Sequence, residues 1–331
     1  MDNEYMLKIK DLHIQYVTDG NTVYAVNGVT LNIKKGHTLG LVGETGAGKT
    51  TIAKAVMRLL PERTARIIGG SIELDGVETL KLKKEEMEKI RGKTVSMVFQ
   101  DPMSSLDPIE RIGDQIKETL YYHNYANRDS KAMDAKVDEL LMMVGILPSR
   151  KYDYPHQFSG GMKQRAVIAI ALACEPDLLI ADEPTTALDV TIQAQVLELM
   201  RGLKKEHNTS MLMITHDLGI VALLCDEVAV MYAGEVVEYG TLKDLYSGDR
   251  HHPYTEGLFA AIPSFSGEQK RLNAIPGLMA DPTKQPAGCR FAERCPFATE
   301  RCFQTHPEYY NDNGHLILCH RFAQTEGETN E

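Results

Sequence analysis

Apolar and polar residues alternate over Val29-Thr30-Leu31-Asn32-Ile33, the period-two pattern of a strand with one buried face. Leu7-Lys8-Ile9 starts another, so residues 1–45 read as strands joined by turns. Thr38 to Val42 reads as a strand buried on both faces, and Gly43 to Gly48 breaks it. A helix is expected over Thr50 to Leu60, stopped by Pro61. Val95 to Phe99 is the next apolar strand. Met133, Val137, Leu140, Leu141 and Val144 fall on one helical face within residues 131–144. Ser159 suits the N-cap of a helix running to Cys174. Leu178 to Ala181 and Met211 to Thr215 read as strands, with a helix over Thr191 to Glu206 between them. Asp226 to Met231 and Glu235 to Glu238 flank Ala233-Gly234 as a hairpin. Strands alternating with helices predict an α/β fold with a parallel sheet covered on both faces.

Beyond residue 250 the periodicity fails. Pro253, Pro263, Pro276, Pro282 and Pro286 interrupt it. The expected division is a main domain over 1–250, a small appended domain over 251–325 and a polar, frayed tail over 326–331. A chain of 331 residues has room for both domains. Its formal charge of −10 argues against a nucleic-acid partner. The longest apolar run, Ala166 to Cys174, is far short of the roughly 20 residues a membrane span needs. Met1-Asp2-Asn3-Glu4 lacks the layout of a signal peptide. The chain is therefore expected in the cytosol, with any membrane work resting on other subunits.

Gly43-Glu44-Thr45-Gly46-Ala47-Gly48-Lys49-Thr50 fits the phosphate-loop pattern, with a strand before it and a helix after. Its glycines let backbone N–H groups face phosphates, and the helix start adds a positive dipole end. Lys49 supplies a full charge near the terminal phosphates, and Thr50 a hydroxyl for Mg²⁺. Asp182 and Glu183 end an apolar strand, where ligands bind in such sheets. Asp182 suits Mg²⁺ held through water, and Glu183 suits a general base on the attacking water. His216 ends the next strand and is placed to meet the γ-phosphate. Gln100 follows the Val95 strand and is a candidate ligand of Mg²⁺ or of the attacking water.

One further segment, Phe158-Ser159-Gly160-Gly161-Met162-Lys163-Gln164-Arg165, offers a second serine-capped, glycine-rich helix start. The ordered set of phosphate loop, Gln100, Ser159-Gly160-Gly161, Asp182-Glu183, Ala187-Leu188-Asp189 and His216 resembles the ATPase subunit of an ABC transporter over residues 5–245. That resemblance implies an ABC nucleotide-binding domain: a parallel core sheet, an antiparallel β subdomain and a helical subdomain near 101–173. It implies two cassettes meeting head to tail, with ATP between one phosphate loop, including Thr51, and the Ser159, Gly160 and Gly161 of the partner. Tyr16 matches the aromatic that stacks on adenine, with Tyr24 also nearby. Phe158 and Met162 depart from the common Leu-Ser-Gly-Gly-Gln signature, and the Met variant resembles the peptide-importer branch. Phe99-Gln100-Asp101-Pro102-Met103-Ser104-Ser105-Leu106-Asp107-Pro108 and His252-Pro253-Tyr254-Thr255 through Ala261-Ile262-Pro263 resemble dipeptide and oligopeptide importers, D-type subunit. Nickel importers share the layout, and a soluble ABC ATPase is the remaining alternative. The implied partners are a second ATPase subunit (a related F-type subunit or another copy), two permease subunits and, indirectly, a substrate-binding protein. The implied place is the cytoplasmic face of the membrane.

The six cysteines divide. Cys174 and Cys225 stand alone in apolar segments and read as buried small hydrophobes. Cys289, Cys295, Cys302 and Cys319 crowd together with spacing C-x5-C-x6-C-x16-C, which suggests a metal more than disulfides in a reducing compartment. The spacing matches neither common structural zinc pairs nor a ferredoxin run. The resemblance implies a [4Fe-4S] cluster; zinc, with His306, His315 or His320 as substitute ligands, stays open.

Overall fold

The computed structural model describes residues 4–18, 20–186, 188–261 and 275–322, without the side chains of Pro102 and Met103. Ala187, Ile262, Pro263 and the 326–331 tail, all named above, lie outside the described residues. Two long strands open the chain, β1 (Tyr5–Thr18) and β2 (Asn21–Lys34). They pair antiparallel from Tyr5 opposite Lys34 to Thr18 opposite Asn21. Next come β3 (Thr38–Val42), α1 (Lys49–Val56), β4 (Ala65–Leu74), β5 (Val77–Glu78), α2 (Lys84–Ile90) and β6 (Val95–Val98). Strands β2-β1-β4-β5, in that order, make an antiparallel sheet. Leu7, Ile9, Leu12 and Ile14 of β1 are fully buried between this sheet and the rest of the molecule. Each such side chain contributes about 1.5–3 kcal/mol of burial.

Helix α1 stops four residues before the expected Leu60. Arg58 enters the left-handed region at φ 50°, and Leu59 N–H closes back on Lys54 O at 2.7 Å, a C-terminal capping turn. The Arg58 guanidinium satisfies the carbonyls of Thr79 and Leu82 and so fixes this exit.

A run of helices follows: α3 (Pro102–Ser105), α4 (Ile112–Tyr122), α5 (Ser130–Met143) and α6 (Gly160–Leu172). Ile112, Ile116 and Leu120 of α4 pack in one core with Met133, Val137, Leu140 and Leu141 of α5. The chain returns through β7 (Leu178–Asp182), α7 (Val190–His207), β8 (Ser210–Thr215), α8 (Leu218–Leu224), β9 (Glu227–Tyr232), β10 (Glu235–Thr241), α9 (Leu242–Ser247) and α10 (Pro253–Ala260). Helix α11 (Glu300–Gln304) precedes the terminal hairpin of β11 (Tyr309–Asp312) and β12 (His315–Leu318).

The central sheet has eight strands in the order β11-β12-β10-β9-β3-β8-β7-β6. From β6 to β9 every pair is parallel. The pairs β9–β10, β10–β12 and β11–β12 are antiparallel. The terminal hairpin thus continues the main sheet. A buried aromatic group fastens the same region: the Tyr254 and Phe291 rings lie 4.8 and 5.1 Å from that of Tyr232.

Strands β3, β6, β7 and β8 all point their C-terminal ends to one edge. Val42, Val98, Asp182 and Thr215 close them there, and the polar residues that follow form the site.

Candidate functional site

The phosphate loop turns sharply between β3 and α1. Gly46 and Gly48 hold φ of 88° and 104°, which L side chains avoid. A Cβ on Gly48 would also sit 2.4 Å from Ala25 O. Gly48 is the N-cap of α1 and no side chain caps the helix. The first N–H groups of α1 therefore remain open to an anion, with the dipole in the same sense.

Lys49 Nζ donates to Gly43 O at 2.6 Å and Glu44 O at 3.0 Å, tying the loop across its mouth. Burial lowers its pKa, against the pull of Glu183, Asp182 and Glu44. Thr50 Oγ1 donates to Asp182 Oδ1 at 3.2 Å, which joins the loop to the end of β7. Burial raises the Asp182 carboxyl above its ordinary range, opposed by that hydrogen bond. A divalent cation between Thr50 and Asp182 would favour the ionised form, so this donor pair fits Mg²⁺.

Glu183 stands at φ 48°, left-handed and costly for a residue with a Cβ. Its N–H donates to Ile214 O at 2.9 Å, so the neighbouring strand enforces the twist. Three groups converge on the carboxylate. Gln100 Nε2 and Thr186 Oγ1 each donate to Oε2 at 2.9 Å, and His216 Nδ1 lies 3.4 Å from Oε1. Burial acts to raise this carboxyl, but the Thr186 bond, the His216 charge and the Gln100 bond outweigh it and lower it overall. Glu183 is therefore ionised at neutral pH, as a proton acceptor must be.

Tyr16 lies on β1 with its hydroxyl 3.3 Å from Thr51 Oγ1 of α1. Tyr24, the other aromatic considered, faces the extension, its N–H donating to Pro282 O at 2.8 Å. Gly43, Glu44, Thr45, Gly46, Ala47, Gly48, Lys49, Thr50, Thr51, Tyr16, Gln100, Asp182, Glu183 and His216 thus gather along one edge of the fold. Ser159, Gly160 and Gly161 do not join them. Ser159 Oγ accepts from Met162 N at 3.3 Å as the N-cap of α6. Among the described residues it makes no hydrogen bond to the phosphate loop. Ser159 and Gly160 are exposed, and a Cβ on Gly160 would meet nothing within 4 Å. Gly161 is the tight one: a Cβ there would lie 2.6 Å from Ile192 Cγ2 at the start of α7. Asp189 caps that helix, accepting from Ile192 N at 3.0 Å.

The four clustered cysteines line a single cavity with Phe291, Phe297 and His320. Cys289 N–H donates to Cys302 O at 2.8 Å, closing the segment on itself. Burial pushes the Cys289 thiol up to about 12 and also raises Cys295 and Cys319, so a metal there would displace protons. No three of the four sulfurs lie within 4.8 Å of one another. Tetrahedral zinc at Zn–S of about 2.3 Å needs sulfurs about 3.8 Å apart, so the spacing suits a larger group better than a single ion. His306 and His315 point elsewhere, to Glu235 at 3.1 Å and Glu238 at 2.8 Å. Of the three candidate histidines only His320 reaches the cavity.

A separate cluster joins Glu238, His251 and His315, whose ligand atoms lie within 4.8 Å of one another, a grouping able to hold a metal ion. Glu238 is fully buried and accepts from His252 N at 2.8 Å as well. The sequence reading did not single out this cluster, nor Thr186, nor the contact of Arg294 with Glu44. Thr186 follows the two acids by three positions, and that proximity was the available signal.

The sequence pattern of the ABC transporter family matches residues 26–186, and that of the oligopeptide/dipeptide transporter C-terminal region matches residues 237–302. The oligopeptide transport ATP-binding protein AppD of Bacillus subtilis (strain 168) is 46% identical over 326 residues, covering 98% of each chain. The oligopeptide transport ATP-binding protein OppD of Escherichia coli (strain K12) is 45% identical over 95% of this chain and 92% of its own. Among solved structures, a dimeric ATP-binding cassette bound to ADP and phosphate in a post-hydrolysis state matches 72% of this chain and 99% of its own, with TM-score 0.65 and 27% identity. Among the described residues no helix is long and apolar enough to cross a membrane. The chain belongs to the ABC transporter family, as an ATP-binding and ATP-hydrolysing subunit of its oligopeptide/dipeptide branch.

Proposed function

We propose that this subunit powers import of dipeptides or oligopeptides from the cytoplasmic face of a membrane, held there by two permease subunits. The relatives compared are named for peptides, which favours peptide over the nickel cargo that the layout also allows. A substrate-binding protein outside the membrane would deliver the peptide without touching this chain.

In this reading the phosphate loop and α1 grip the ATP phosphates, Lys49 charges their outer end, and Tyr16 stacks on adenine. Thr50, Gln100 and Asp182 hold Mg²⁺. Glu183 takes a proton from water as its oxygen attacks the γ-phosphorus, the bond to the β-phosphate oxygen breaks, and ADP and phosphate leave. His216 contacts the γ-phosphate and keeps Glu183 aligned.

The observation that carries the proposal is the exposed start of α6. Ser159 and Gly160 present a capped helix end to solvent, away from their own phosphate loop. That is the arrangement needed to cover the nucleotide of a second subunit, a related F-type chain or another copy. The four cysteines are proposed to hold a [4Fe-4S] cluster, with zinc as the alternative. Bound there, it would act as a structural staple for a segment with little core of its own.

Reconstitution with the permeases tests the whole. ATP-dependent peptide uptake that fails with Ser159→Arg, while nucleotide still binds, is the expected result. Uptake unaffected by Ser159→Arg would overturn the shared site.

A further inference from the structure

The phosphate loop is held from outside the cassette through one residue. Glu44, second in the loop, is restrained at three points. Its carboxylate takes both arms of Arg294: Nη1 donates to Oε2 at 2.7 Å and Nη2 to Oε1 at 3.1 Å. Its N–H donates to the Tyr254 hydroxyl at 2.8 Å. Its carbonyl accepts from Lys49 Nζ at 3.0 Å. Lys49 belongs to the loop itself, whereas Tyr254 and Arg294 come from beyond residue 250.

Arg294 is itself closely fixed. Its side chain is 5% exposed, and Nε donates to Pro276 O at 2.9 Å. The guanidinium lies 5.6 Å from the Tyr232 ring centre and 5.9 Å from that of Phe291. A two-pronged contact between a buried guanidinium and a carboxylate is strong and directional, and removing either partner strands a charge. Arg294 also directly precedes Cys295. Cys289, Phe291, Ala292 and Cys295 of the same turn line the cysteine cavity. The path of that turn therefore sets where the guanidinium stands.

We propose that Arg294 is a positioning residue for the phosphate loop, and that the order of the four-cysteine segment sets ATP affinity through it. The inference rests on the ATP-binding reading above. A loop already fixed at Glu44 does not have to be ordered when ATP arrives, so the ordering cost is removed from binding. If the turn loosens, Glu44 loses its partner and the loop loses its shape. Information about the cysteine segment thus reaches the nucleotide without any cysteine touching it.

The test is titration of the purified full chain with a fluorescent ATP analogue carrying a methylanthraniloyl group, with metal content measured in parallel. Arg294→Met and Glu44→Gln should each weaken binding about tenfold, and the double variant should be no weaker than either, because the two act as one pair. Arg294→Lys should recover only part, since it keeps the charge and loses the fork. Cys302→Ser, which disturbs the cavity without touching Arg294, should weaken the wild type by a similar factor and add little to Arg294→Met. Glu44→Gln lies outside the extension and guards against simple unfolding of Arg294→Met. Additive effects of Arg294→Met and Glu44→Gln, or unchanged affinity in Cys302→Ser, would overturn the proposal. A wild-type chain that binds no analogue would instead overturn the nucleotide reading.

Discussion

Gln100 and Glu183 meet across the ends of two adjacent parallel strands, with Gln100 Nε2 donating to Glu183 Oε2 at 2.9 Å. The contact aims a carboxylate that its own left-handed backbone has already turned outward. Glu183→Gln keeps the shape and removes the proton acceptor. Hydrolysis in the assembled complex should fall by about 10²-fold or more, the usual scale of a lost general base, while ATP still binds. Near-normal turnover would remove Glu183 from that role.

Gly161→Val should separate binding from turnover. Its branched side chain has no room beside Ile192, where even a Cβ comes to 2.6 Å. The start of α6 would shift while the phosphate loop stays intact. ATP analogue binding to the isolated subunit should be unchanged, and hydrolysis in the complex should be lost. Retained hydrolysis would show that the start of α6 tolerates displacement.

The Glu238–His251 pair makes the stability of the fold depend on pH. Burial acts to raise Glu238, but donors from His251 and His315 and the His252 N–H bring it down to about 2. His251 is raised, chiefly by its bond to Glu238. The lowered carboxyl stabilises above the ordinary glutamate range and loses that contribution as pH falls toward its folded value. The raised imidazole stabilises fully below its ordinary value and fades as pH rises through its folded one. The pair is therefore strongest between about pH 4.5 and 6.5. The melting-temperature difference between wild type and His251→Gln should peak near pH 6, by about those reference values, and shrink in alkali. A difference constant with pH would count against the charged pair.

Phe291→Ala should loosen the region beyond residue 250. Phe291 is 2% exposed and its ring centre lies 5.1 Å from that of Tyr232 and 5.5 Å from that of Tyr254. Losing a buried ring costs about 3–5 kcal/mol, to be read from urea unfolding. A loss within experimental error would mean that the aromatic group contributes no stability.

Cys289→Ser and Cys319→Ser should each abolish bound metal. A brown preparation whose broad visible absorption bleaches with dithionite identifies the cluster; a colourless, zinc-containing protein prepared without oxygen identifies the alternative.

Residues whose meaning is local could be read in advance. The apolar run before Asp182, the glycines before Lys49 and the helical spacing of Met133 and Val137 each carry their pattern within a few positions. What joins distant segments could not. Arg294 and Glu44 are 250 positions apart, and neither has a neighbour that announces the other. Ile192 against Gly161 is equally silent, because close packing between helices leaves no period in the sequence. The length of β1 and β2 was also hidden, since bulges shift the pairing between Ile9, Leu12 and Ile14 and break strict alternation.

The terminal hairpin carries a final consequence. Glu238 and Tyr239 of β10 pair with Ile317 and Leu316 of β12. Without β12 this strand would present unpaired N–H and C=O groups along an apolar, open edge, a template for sticking to other copies. A chain cut near residue 250 should therefore aggregate even if its nucleotide half folds, and the hairpin is in that sense the molecule's own protection against self-association.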